Sequence, residues 1–254
     1  RGLGDVYKRQ ACCFTPGNTV FPLKSWTCVI RVTPRDRVTR SWGMAPMSST
    51  ASAAYSAGEQ AALLQVALAS IQSGLDTASP LQVQPAAYPP ALSAMRASFV
   101  TLKRNGDLRG CIGSLTPVTS LVEDVAHNAF AAAFRDPRFL ALTAAELQGL
   151  EIAISVLGPT ESIDFSSEQN LLGKLRPGID GLVLQDGRHR GTFLPAVWES
   201  LPKPVDFLDH LKQKAGLPAD YWSDTLEVQR YTTVSFAADV DGIRQAQGEA
   251  ISAG

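Results

Sequence analysis

The stretch SFVTLKRNGDLRGCIGSL, residues 98–115, decides the fold. Two runs of strand-forming residues flank Asn105-Gly106, the pair that most readily supplies the two positive φ angles of a type I′ turn. A hairpin is predicted in which Arg104 faces Asp107, Leu102 faces Arg109 and Val100 faces Cys111. In that register Arg109, Cys111 and Gly113 share one face, and Leu108 and Ile112 the other. Gly110 and Gly113 weaken a strand, which marks a bulge or a close approach by another backbone or a ligand.

Working outward, Ser56-x-x-Glu59 and Ser120-x-x-Glu123 are capping boxes, each opening an amphipathic helix. The first carries Leu63, Leu64, Ala67, Leu68 and Ile71 on its apolar face, with Gly74 as its stop. The second carries Leu121, Val122, Val125, Ala126, Ala129 and Phe130 and halts at RDPRF, because Pro137 follows Asp136. Between the helices, Pro80, Pro85, Pro89 and Pro90 demand an extended loop. LEIAISVL at 150–157 reads as a buried strand, GLVLQDGRHRGTFL as a second hairpin turning at Asp186-Gly187, PVDFLDHLKQKAGL as a helix, and TLEVQRYTTVSF as a period-2 strand. Helices alternate with hairpins, which points to an α+β fold with a largely antiparallel sheet and flanking helices.

Residues 56–238 hold all of these elements. RGLGDVYKRQ at the start reads as the translation of a sequencing-library adaptor, and residues 1–43 as a whole are read as non-native. Residues 44–55 are read as a flexible leader and 239–254 as a frayed tail. Of 23 Lys/Arg and 24 Asp/Glu, eight and two fall in residues 1–43, which leaves 15 against 22 and a net charge of −7. That balance argues against a nucleic-acid partner. No apolar run reaches the roughly 18 residues of a membrane span. Cys12, Cys13 and Cys28 also lie in that segment, so Cys111 is the single cysteine of the remainder and a reducing cytoplasm is expected.

Cys111 admits three readings from its residues: a small apolar core residue, a wall of a ligand cleft, or a nucleophile. A guanidinium about 6.6 Å away at an effective dielectric of about 20 favours the thiolate by at most roughly 2 kcal/mol. Arg109 alone thus makes only a partly activated thiol. His127, about 150° from the centre of its helix's apolar face, is the candidate base, while His189 and His210 lie elsewhere. The three histidines and one cysteine are too scattered for a zinc site, and neither metal nor cofactor is expected. Asp136 reads as a helix-stop residue bonding backbone amides or Arg138. NGDLRGCI and DGRHRGTF share a local pattern; if it is real, Arg109 and Arg190 are equivalent.

Taken in order, LRGCIG, AAFRDPRFLALTAAEL, LEIAISVLGP, GLVL with RGTFLP, and FLDHLKQKAGL resemble the AMMECR domain family, whose bacterial and archaeal branch is the AmmeMemoRadiSam system protein A. The resemblance implies a two-part α+β fold with RGCIG at a cleft and no established reaction. It also implies a Memo-type protein and a radical SAM protein as companions. The matching positions are Arg109, Gly110, Cys111, Ile112 and Gly113, Asp136 to Phe139, and Leu194 with Pro195. Ala196 stands where the family usually has glutamine. The function expected is binding of a small anionic or modified substrate between Arg109, Gly110, Gly113, Arg138 and Arg190, with Cys111 and His127 as candidate catalytic groups. The alternative is a non-catalytic adaptor that docks the Memo-type partner.

Overall fold

The computed structural model describes residues 55–252, together with the backbone of two three-residue strands, β1 (Ala11–Cys13) and β2 (Cys28–Ile30). The rest of the expected leader and non-native segment lies outside the described residues. Helix α1 (Ala57–Thr77) starts at the Ser56/Glu59 capping box, both halves of which form. It runs through Gly74 and ends at Ala78, whose φ of 55° is the left-handed cap that the helix required. Gly74 is therefore not the stop expected of it. A Cβ there would lie 2.2 Å from the Phe134 ring, so the missing side chain lets α1 close onto a neighbouring helix. After a proline-rich connection and the short helix α2 (Pro90–Ser93), the chain enters β3 (Ser98–Arg104) and β4 (Asp107–Gly113). Asn105 and Gly106 have φ of 53° and 83°, as a type I′ turn demands.

Helix α3 (Leu121–Phe134) follows from its own capping box. Then come β5 (Leu150–Leu157), β6 (Glu161–Ser162), α4 (Glu168–Leu172), β7 (Gly181–Asp186), β8 (His189–Phe193) and α5 (Pro204–Lys214). The second hairpin turns at Gly187-Arg188, one residue later than expected, since Asp186 pairs with His189 and Leu184 with Gly191 rather than with His189. TLEVQRYTTVSF is two strands, not one. It breaks at Thr232 into β9 (Glu227–Tyr231), which pairs with β7, and β10 (Thr233–Asp239), which pairs with β5. In place of a frayed tail, α6 (Val240–Ser252) follows, with Val240 and Ile243 buried beside α1 and β5. Apolar residues at i and i+3 gave this polar segment enough of a face to dock.

The fold is α+β, with two antiparallel sheets ordered β10-β5-β3-β4 and β8-β7-β9-β6. Strand β1 lies antiparallel on β8 and β2 parallel on β4, and they pair with each other between the sheets. One core lies between the first sheet and α1 and α3, built on Val100, Leu102, Ile112, Ile152 and Ile154. A second lies between the other sheet and α5, where Trp198 stacks on Phe207 at 3.8 Å. A third, smaller cluster joins the sheets through Phe99, Cys111, Leu157, Val183, Leu194 and Tyr231. No helix among the described residues is long and apolar enough to cross a membrane.

Each hairpin has one glycine beneath a helix. A Cβ on Gly110 would lie 2.1 Å from the carbonyl oxygen of Ala132 in α3, and one on Gly191 would lie 3.1 Å from that of Leu211 in α5. Overpacking of this kind costs about 1–3 kcal/mol, so Gly110→Ala is expected near the upper end and Gly191→Ala near the lower. Urea unfolding of the two variants checks the order; equal midpoints would refute it.

Candidate functional site

The RGCIG strand does not keep the register that its turn predicts. Arg104 pairs with Asp107 and Lys103 with Leu108, but Leu102 then pairs with Gly110, so Arg109 is the extra residue of a β-bulge. Beyond it Cys111 faces Thr101, not Val100, and Val100 faces Ile112. The expected shared face of Arg109 and Cys111 is lost for this reason. Leu108 and Cys111 turn into the cluster between the sheets, Ile112 turns into the helix-covered core, and Arg109 leaves toward the segment after α3. The bulge lets Gly110 sit flush under Ala132 while the longer side chain beside it escapes.

Arg109 is held by Glu146 in the 3₁₀ turn Ala144–Leu147, with Nε to Oε1 at 2.7 Å and an Nη to Oε2 at 3.2 Å, and it also donates to the Leu140 carbonyl at 2.9 Å. Glu146 further accepts from the amide and hydroxyl of Thr143. The Arg109 hydrogen bond, above all, holds the Glu146 carboxyl down to about 2 from an ordinary 4.5. A lowered folded-state pKa contributes stability that is present above the unfolded value and lost as pH falls through the folded one. Acid titration of urea midpoints is therefore expected to show Glu146→Gln losing less stability than the wild-type protein between pH 4.5 and about 2. Parallel curves would remove Glu146 from that window.

The RDPRF loop braces the same strand. Asp136, almost wholly buried, accepts the Cys111 amide at 2.9 Å and the Arg138 amide at 3.1 Å, and it binds the Arg138 guanidinium through Nε at 2.9 Å and an Nη at 2.6 Å. The guanidiniums of Arg109 and Arg138 both lie over the Phe139 ring, 5.6 and 5.4 Å from its centre. Arg109 and Arg138 thus arrive already matched by Glu146 and Asp136, and an anion would have to compete with both carboxylates. Removing one partner of a buried pair costs about 3–5 kcal/mol. Asp136→Ala is expected to fall in that range by thermal or urea unfolding, and a loss typical of a surface change would refute the bracing role.

Cys111 is 5% exposed among apolar side chains, and the Thr101 hydroxyl donates to its sulfur at 3.3 Å. Gly113 gives room to the Phe99 ring, 2.3 Å from where its Cβ would stand. The structure thus brings Arg109, Arg138 and the Cys111 amide together around Asp136 and Phe139, while Gly110 packs under Ala132 and Gly113 against Phe99. Arg190 lies on β8 of the other sheet, opposite Gln185 and without a bulge, so its backbone setting is not that of Arg109. His127 is partly buried on α3, and His189 and His210 bond to the carbonyls of Ala215 and Asp206. Among the described residues no three His, Cys, Asp or Glu are grouped to hold a metal.

Two networks were not anticipated. Asp124, buried in the first turns of α3, accepts from the Ser98 amide and hydroxyl, the Ser114 hydroxyl and the Asn128 amide at 2.7–2.9 Å. Its signal was a pair of polar residues spaced i, i+4 within the buried arc of a helix. Across the other sheet, the Thr192 and Tyr231 hydroxyls meet at 2.9 Å, and Lys214 donates to the Thr192 carbonyl at 2.6 Å while lying 4.5 Å from the Phe193 ring centre. Nothing local to Lys214 distinguishes it from a solvated helix-end lysine.

A family model described as AMMECR1 matches residues 64–236. A protein of Thermofilum pendens is 35% identical over 197 residues, covering 71% of this chain and 90% of that one. One from Methanothermobacter thermautotrophicus is 33% identical over 193 residues, covering 74% and 98%. The crystal structure of the uncharacterized protein PH0010 from Pyrococcus horikoshii superposes with a TM-score of 0.65 at 34% identity, covering 70% of this chain and 90% of that one. With a family match over most of its length and relatives covered almost end to end, this chain belongs to the AMMECR1 family.

Proposed function

We propose that this protein is a non-catalytic binding module, working in the cytoplasm as the AmmeMemoRadiSam system protein A type of the family. Its role is to dock a Memo-type protein, with a radical SAM protein as the third member. The observation that carries this reading is the internal use of the RGCIG segment. Arg109 gives its Nε and one Nη to Glu146 and Leu140, the Cys111 amide goes to Asp136, and both glycines serve close packing against Ala132 and Phe99. A strand whose polar groups brace a fold is suited to presenting a surface, and a buried thiol is poorly placed to meet a substrate. The competing reading, a substrate cleft with Cys111 as nucleophile or wall, requires a thiol that reagents reach and arginines that release their carboxylates.

Two measurements separate these readings. In a Cys12→Ser, Cys13→Ser, Cys28→Ser background, iodoacetamide is expected to modify Cys111 only after denaturant unfolds the domain; rapid native alkylation rising with pH below about 8 would favour the nucleophile. Titration calorimetry with a purified Memo-type companion is expected to show binding that survives Cys111→Ala. A Cys111→Ser variant that folds and binds its companion yet abolishes activity of the assembled system would overturn the adaptor.

A further inference from the structure

Trp222, between α5 and β9, stands between two open cavities. One, of about 570 Å³, runs along Ser162–Ser166 and the start of β9; the other, of about 730 Å³, lies between α4 and α5. Both are lined in part by this half-buried indole, whose orientation is supported by an edge contact with Phe165 at 5.5 Å. All ionisable side chains that line them are carboxylates: Asp164, Asp224 and Glu227 in the first, Glu168, Asp209 and Asp220 in the second. The second already holds one cation of its own. Lys212, fully buried, donates to Glu168 and, at 2.9 Å, to the Ala219 carbonyl, with Asp209 at 3.7 Å. In the first, Lys174 donates to the Asp164 backbone carbonyl at 2.5 Å, but among the described residues the Asp164, Asp224 and Glu227 carboxylates form no ion pair with a lysine or arginine, and all three residues are exposed.

An aromatic face flanked by exposed carboxylates without ion-pair partners of their own suits a cation, and indole is the strongest of the aromatic partners. The shape selects among cations. A small ligand's site encloses most of its surface, whereas two cavities in tandem, each open along one side, fit a chain passing over Trp222. We propose that the Trp222 groove docks a basic, extended segment of a partner protein. An arginine stacks on the indole and its charge faces Asp164, Asp224 and Glu227. This rests on the binding-module reading and names the face through which the module binds. It also separates the docking face from the RGCIG strand, which belongs to the junction between the sheets.

The test uses the full chain and an N-acetylated, C-amidated hexa-arginine peptide at low salt, followed by calorimetry and tryptophan fluorescence. Saturable binding is expected, weakened roughly tenfold in Asp164→Asn/Asp224→Asn/Glu227→Gln as three exposed charge contacts are lost, and the fluorescence change is expected to vanish in Trp222→Phe. A control with the same charge change away from the groove, Asp76→Asn/Asp107→Asn/Glu199→Gln, is expected to leave affinity unchanged. Equal loss in both triple variants, or no saturable binding, overturns the groove. The same variants titrated with the Memo-type companion separate the two ideas. Docking that persists undiminished in the groove variant overturns the groove alone, while a companion that does not bind even the wild-type protein overturns the binding module and leaves the peptide result to judge the groove.

Discussion

The carbonyl oxygen of Ala132 rests on β4 where Gly110 has no side chain, 2.1 Å from the position a Cβ would take. Much of the first half of the molecule follows from that contact. With α3 this close, Ile112 shares one core with Val122, Val125 and Ala129, and there is no room for a larger residue at 110. The chain beside the contact cannot continue as a flat strand, so Arg109 is expelled as a bulge and Cys111 is turned toward the other sheet. The thiol's surroundings are thus a consequence of helix packing, and its isolation from Arg109 is the same event seen from the other side of the strand.

The expelled arginine carries a charge into a confined place, and the segment after α3 answers it. Glu146 meets Arg109, Asp136 meets Arg138, and both guanidiniums lie against the Phe139 ring. Asp136 also supplies an acceptor for the Cys111 amide of the strand. Two arginines and two carboxylates thus offset one another's charge beside the strand. Exposed carboxylates gather instead around Trp222, in the other half of the molecule, where they line open cavities.

Repetition of the glycine device gives the two halves a common logic. Gly191 under α5 matches Gly110 under α3 in its role, with a looser approach, no bulge, and a turn displaced by one residue. The likeness of NGDLRGCI and DGRHRGTF is therefore a likeness of strand-to-helix packing. It does not extend to Arg109 and Arg190, because the bulge and the displaced turn set the residue before each glycine differently.

What could be read from the sequence was local. Asn105-Gly106 carries its own turn geometry, each capping box is completed within four residues, and the alternation of LEIAISVL requires only its own pleat. The family was legible too, because motifs in a fixed order carry more information than any one contact. What the sequence left open depends on atoms far along the chain: the register past Lys103 is set by a helix carbonyl 22 residues beyond Gly110, the continuation of α1 through Gly74 by the Phe134 ring, and the splitting of TLEVQRYTTVSF by the demands of two separate sheets. The side of β4 to which Cys111 points belongs to that second class. Side chains alternate with a period of two, so a single extra residue reverses every face that follows it, and only tertiary packing decides whether that residue is present.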